Sequence, residues 1–159
     1  MEFKDFVCFE AVIPHMKAET RDEAIEELVT SLAEAGKLKK TECKSIIKAI
    51  IKRENEASTG MGKGVAVPHA KYDKTDHVIA VVGQSDEGID FSSLDKQPVY
   101  IIFLLISPTG NPEVHLQAME KVFKHLQQEK FRKFLKQCRD QHKLQDLLHE
   151  ADDDPGLFL

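Results

Sequence analysis

The sequence predicts a three-layer α/β sandwich. Three observations lead there. Residues 78–83 and 99–106 are apolar at nearly every position, the pattern of strands covered on both faces rather than one. Amphipathic stretches with helical spacing stand before and after these runs, so helices can supply both covers. A length of 159 residues, 42% of them hydrophobic and 31% charged, fits one domain with one substantial core.

The elements can be justified in chain order. Residues 6–13 are rich in apolar side chains and stop before Pro14, which reads as a short strand or an extended arm. Thr20-Arg21-Asp22-Glu23 is a capping box opening a helix with Ile25, Leu28, Val29 and Leu32 on one face. Gly36 suits the position just past its end. Thr41 is the predicted cap of a second helix, with a stripe of Cys43, Ile46, Ile47, Ile50 and Ile51, expiring near residues 53–55. A glycine-rich stretch, residues 58–71, comes next. Residues 71–77 are polar and turn-like, 78–83 a strand, 86–95 a loop, and 99–106 the central strand.

Asn111 and Pro112 then form a helix start, Asn as cap and Pro at the first helical position. Its stripe is Leu116, Met119, Val122, Phe123 and Leu126, with His115 in the first turn. Phe131, Phe134, Leu135 and Cys138 mark another helix, and Leu144, Leu147 and Leu148 a last one. Residues 1–152 read as a single domain. Residues 153–159 read as an acidic tail, mobile or docking Leu157-Phe158-Leu159 weakly.

Composition removes several function classes. A net charge of −5 leaves no overall basic footprint for nucleic acid. The basic residues between Lys121 and Lys143 alternate with acids and apolars as on a solvated helix face. Three widely spaced cysteines form neither a disulfide framework nor a zinc motif and suit a reducing, cytoplasmic setting. Residues 99–106 are the longest apolar run, far short of the roughly 20 residues that cross a bilayer, so no membrane insertion is expected. The seven histidines show no metal-binding spacing, and G-x-S-x-G is missing, which leaves neither a metal nor a serine hydrolase in prospect.

Ser58-Thr59-Gly60-Met61-Gly62-Lys63-Gly64-Val65-Ala66-Val67-Pro68-His69-Ala70-Lys71 carries the chemistry. Gly60, Gly62 and Gly64 match neither the phosphate-loop nor the dinucleotide pattern. They can still let backbone approach another group closely, and Pro68 holds Val67 extended just ahead of His69. A phosphoryl group on a histidine suits three donors: loop N–H groups, a guanidinium and a helix N-terminus. The sequence offers residues 60–64, Arg53 at a helix end, and the turn after Asn111 that bears His115. From the residues alone the alternatives stay open: a surface turn, a structural His69, a half-buried packing role for His115, and a helix-end Arg53 complementing the dipole.

The string Arg53-Glu54-x4-Thr59-Gly60-Met61-Gly62-Lys63-Gly64-Val65-Ala66-Val67-Pro68-His69 resembles the signature of the type-2 enzyme IIA domains. These are the fructose, mannitol and nitrogen-related domains of the bacterial phosphoenolpyruvate-dependent phosphotransferase system. The likeness extends over nearly the whole chain, including Gly88-Ile89-Asp90-Phe91 and His115-Leu116. It implies a mixed β-sheet flanked by helices on both faces. It also implies that His69 is the phosphorylated residue, with His115 as second histidine, Arg53 as the active-site arginine, and Thr59, Gly60, Gly62 and Gly64 as surrounding wall. The implied partners are the phosphocarrier HPr and a IIB domain or regulatory proteins. An apolar collar of Met61 and Val65 is the expected docking surface.

Two functions follow from the resemblance. One is a nitrogen-regulatory IIA, favoured by a chain that shows no attached IIB or IIC segment. The other is a fructose- or mannitol-type IIA that passes the group to a IIB domain for sugar uptake. A third, a binding relative that has lost phosphorylation, fits poorly with His69, His115 and Arg53 all present.

Overall fold

The computed structural model describes residues 1–159. Five strands form one mixed sheet: β1 (Gly60–Gly62), β2 (Val65–Ala66), β3 (His69–Tyr72), β4 (Ile79–Ile89) and β5 (Val99–Pro108). Strand β5 is central. It runs parallel to β2 and β3 on one side and antiparallel to β4 on the other. Val65 lies opposite Ile101 and His69 opposite Leu105, so β2 and β3 keep one register and make a single strand path. The path is interrupted at Val67-Pro68, because proline has no N–H to give a ladder. Strand β1 covers only β2, which leaves the outer edge of β3 open.

Alternation along β5 sorts the core into two layers. Ile101, Phe103 and Leu105 pack with Val65, Val67, Ala80 and Val82 against α1 (Phe3–Phe6), α4 (Pro112–Leu126), α5 (Glu129–Gln137) and α6 (Gln141–Asp153). Ile102, Leu104 and Ile106 pack with Ala66, Ile79 and Val81 against α2 (Arg21–Glu34) and α3 (Cys43–Glu56). Helices therefore cover both faces, as the continuous apolar runs predict. Thr20 accepts the Glu23 N–H at the start of α2, and Asn111 accepts the Val114 N–H at the start of α4, with Pro112 as its first residue. Gly36 follows α2 with φ of 79°.

Several expectations are corrected. The N-terminal arm is extended only where Val7 and Ile13 bridge the outer edge of β4; short helical turns lie at Phe3–Phe6 and Phe9–Ala11. Thr41 sits inside a 3₁₀ turn, and α3 begins at Cys43 and continues to Glu56. Residues 69–72, read partly as a turn, are strand β3, and β4 runs on to Ile89. Leu116 is 66% exposed, because α4 turns Ala118, Val122, His125 and Leu126 to the sheet instead. Of the two alternatives for the tail, docking is the one seen, and through Phe158 rather than its neighbours: Phe158 is only 3% exposed and meets Phe131 edge-on with ring centroids 5.2 Å apart. No helix is long and apolar enough to cross a membrane.

Candidate active site

His69 opens β3 and, by the strand's alternation, shares with Lys71 the face covered by α4. Its Nδ1 lies 2.9 Å from the Val67 carbonyl oxygen. A carbonyl only accepts, so Nδ1 holds the proton and Nε2 keeps a lone pair. Proline at 68 holds Val67 extended, and that geometry puts this carbonyl within reach of the ring two residues on.

The layers on the two sides meet at the open edge of β3. From one side α3 brings Arg53 in its last turn, where Nη1 donates to the Ala57 carbonyl at 2.8 Å. From the other, the first turns of α4 bring His115, whose ring centroid is 5.4 Å from that of His69 at an interplanar angle of 41°. Lys52, Arg53, Glu56, His69, Lys71 and His115 line a cleft of about 350 Å³ between them. Lys52, Arg53 and Lys71 form no ion pair, and against the one carboxylate of Glu56 they leave the cleft with an excess of positive charge. Such a cleft suits an anion.

The surroundings of both imidazoles favour the neutral form. Burial pushes the His69 pKa down from its ordinary value; the bond to Val67 opposes this, and the Arg53 charge reinforces it. Burial likewise lowers the pKa of His115, helped by the neighbouring His69 and by Lys71. A neutral His69 whose Nε2 lone pair is free of any hydrogen bond can act as a nucleophile.

Arg53, His69 and His115 thus converge as the residues suggested. The glycines do not line the cleft, which is a correction. Residues 60–66 form a hairpin that runs away from His69 along β2. Gly60 packs on Ser93, Gly62 on Asp95 and Gly64 on Tyr100, and the Gly60 and Lys63 N–H groups are taken by Ser58 and Asp95. The N–H groups free near His69 are those of the strand edge instead. Pro68 and Tyr72 carbonyls accept from Leu105 and Thr109, so His69 and Lys71 turn their N–H groups away from β5, to the open edge. Val65 is also corrected as a docking residue: it is 1% exposed, because the pleat turns it into the core, whereas Met61 is half-buried.

Three residues to which the sequence assigns no role support the site. Buried Glu54 accepts the Thr59 N–H at 3.1 Å and the Thr59 hydroxyl, which ties the start of the hairpin to the end of α3 beside Arg53. Lys71 would follow from strand periodicity once β3 is read as a strand. Ser107 Oγ, at the end of the central apolar run, lies 2.6 Å from His115 Nδ1.

The family described as "Phosphoenolpyruvate-dependent sugar phosphotransferase system, EIIA 2" matches residues 7–151. The chain belongs to this family. Among EIIA 2 relatives, a nitrogen regulatory protein of Bradyrhizobium diazoefficiens is 32% identical over 148 residues, covering 93% of this chain and 95% of the relative. The PTS system fructose-specific EIIABC component of Bacillus subtilis is 32% identical over 138 residues, 87% of this chain, and this chain spans 21% of that longer protein. The crystal structure of the nitrogen regulatory protein IIA-Ntr from Neisseria meningitidis shares the fold. Its TM-score is 0.81 at 22% identity, over 90% of this chain and 96% of that one.

Proposed function

We propose that this EIIA 2 protein accepts a phosphoryl group on Nε2 of His69 from the phosphohistidine of the carrier HPr, and hands it on. The observation that carries this reading is the single-sided hydrogen bond of His69, Nδ1–H to Val67, beside a cleft with unpaired cations. In the transfer the Nε2 lone pair forms the new N–P bond while the bond from phosphorus to the donor nitrogen breaks, and the donor imidazole leaves with that electron pair. Positive charge develops on the His69 ring, and the Val67 carbonyl, already bonded to Nδ1–H, stabilises it. Arg53, His115 and the edge N–H groups of His69 and Lys71 serve as donors to the phosphoryl oxygens. Such a reaction needs positioning and charge stabilisation more than covalent chemistry, and it calls for no metal or cofactor.

We assign the chain to the nitrogen-regulatory branch in the cytoplasm, with regulatory proteins as targets. Support comes from the nitrogen regulatory relative, which matches along 95% of its own length. The fructose-specific relative favours a second reading, delivery to a IIB domain for sugar uptake. Incubation with enzyme I, HPr and labelled phosphoenolpyruvate tests the shared step. Acid-labile, alkali-stable label on the native chain and none on His69→Ala is expected. Equal labelling of both would overturn the assignment.

A further inference from the structure

Ser107 is 0% exposed, and its hydroxyl has one hydrogen-bond partner, Nδ1 of His115. It stands in β5 opposite Lys71, on the face that α4 covers. A hydroxyl has one proton to donate. Here that proton either goes to Nδ1 or stays buried without an acceptor, and a buried donor left unmade carries the full desolvation cost. The other arrangement, Nδ1–H donating to Oγ, would orphan the serine proton.

We infer that Ser107 donates its hydroxyl proton to His115 Nδ1, fixing His115 as the Nε2–H tautomer and aiming that N–H into the cleft beside His69. Ser107 is thereby a positioning residue for the second histidine. The two neighbouring rings then hold opposite tautomers. His69 is anchored at Nδ1–H by Val67 and offers a lone pair, while His115 is anchored at an accepting Nδ1 by Ser107 and offers a donor. The lone pair forms the bond to phosphorus, and the donor meets a phosphoryl oxygen. With the rings 5.4 Å apart, a group on His69 Nε2 falls within reach of the neighbouring ring. Burial that disfavours protonation of His115 keeps the distinction between its two nitrogens intact. The purpose of this device rests on the phosphoryl-acceptor reading; the tautomer itself does not.

The test is long-range ¹H–¹⁵N correlation of the histidine rings in the full chain at a pH above their titration. His115 is expected to show an unprotonated Nδ1 and a protonated Nε2, and Ser107→Ala to show a mixture of the two tautomers. In Ser107→Ala the rate of phosphoryl acceptance from phosphorylated HPr is expected to fall about tenfold with an unchanged KM, as for a donor misaligned rather than lost. Ser107→Thr, which keeps a hydroxyl, should restore the tautomer. A protonated Nδ1 on His115 in the native chain, or an unaltered tautomer in Ser107→Ala, would overturn the inference. The expected tautomer in a native chain that takes no label would uphold the inference and overturn the functional reading alone.

Discussion

Replacing Glu54 by Gln probes the joint between the scaffold and the site. Glu54 is 3% exposed and accepts both the N–H and the hydroxyl of Thr59. The amide keeps one acceptor oxygen but presents an NH₂ to the second donor, so a buried donor goes unmet. A hydrogen bond to a charged group contributes about 1.5–3 kcal/mol. Part of that loss is offset because a neutral amide is easier to bury than a carboxylate. The net loss is therefore about 2 kcal/mol, or about 4–8 °C in Tm for a domain of this size. A second effect follows from charge. Burial dominates the lowered pKa of His69, and the Glu54 carboxylate opposes it. Glu54→Gln should move the His69 titration further down while the m-value stays constant. Urea unfolding and ring ¹H–¹⁵N titration read the two effects. An unchanged midpoint together with an unshifted His69 would refute the reasoning, since a carboxylate in this place must do both.

Other perturbations have equally definite outcomes. His115→Ala should slow phosphoryl acceptance by about 10²-fold and, by leaving the buried Ser107 hydroxyl without its acceptor, cost about 1–3 kcal/mol of stability without unfolding the domain, as measured by rapid quench and thermal melting. His69, His115 and His125 all have pKa values lowered chiefly by burial, so the unfolded chain binds more protons than the native one. Stability is then full above the unfolded histidine pKa of about 6.5 and is lost as pH falls below it, which urea midpoints between pH 8 and pH 5 would show. Phe158→Ala removes a ring packed on Phe131 and Phe134 and should cost about 3 kcal/mol by the same assay.

What the sequence disclosed was local. The caps at Thr20 and Asn111 and the doubly covered β5 depend on neighbouring residues and on composition, and they stand where the patterns put them. What it hid depends on partners distant in the chain. Strand β3 is short and polar, with its ladder supplied entirely by β5, so residues 69–72 look like a turn until that pairing is known. The freedom of Gly60, Gly62 and Gly64 was visible, but the surfaces they meet, Ser93, Asp95 and Tyr100, lie some thirty residues on. Leu116 follows the apolar spacing of α4, yet the helix is rotated so that Ala118 makes the close approach. Val65 reads as a surface residue because a two-residue strand is too short a pattern to phase the pleat that buries it. At the site, His69 and Arg53 stood in one recognisable string. Ser107 carries no motif, and its meaning appears only when α4 sets His115 above it.

The most direct measurement is the position of the phosphoryl group in the phosphorylated chain, read by ³¹P–¹⁵N coupling in ¹⁵N-histidine-labelled protein. Coupling to Nε2 of His69 is the predicted result, because Val67 occupies Nδ1 through its proton. Coupling to Nδ1 of His69, or to either nitrogen of His115, would contradict it.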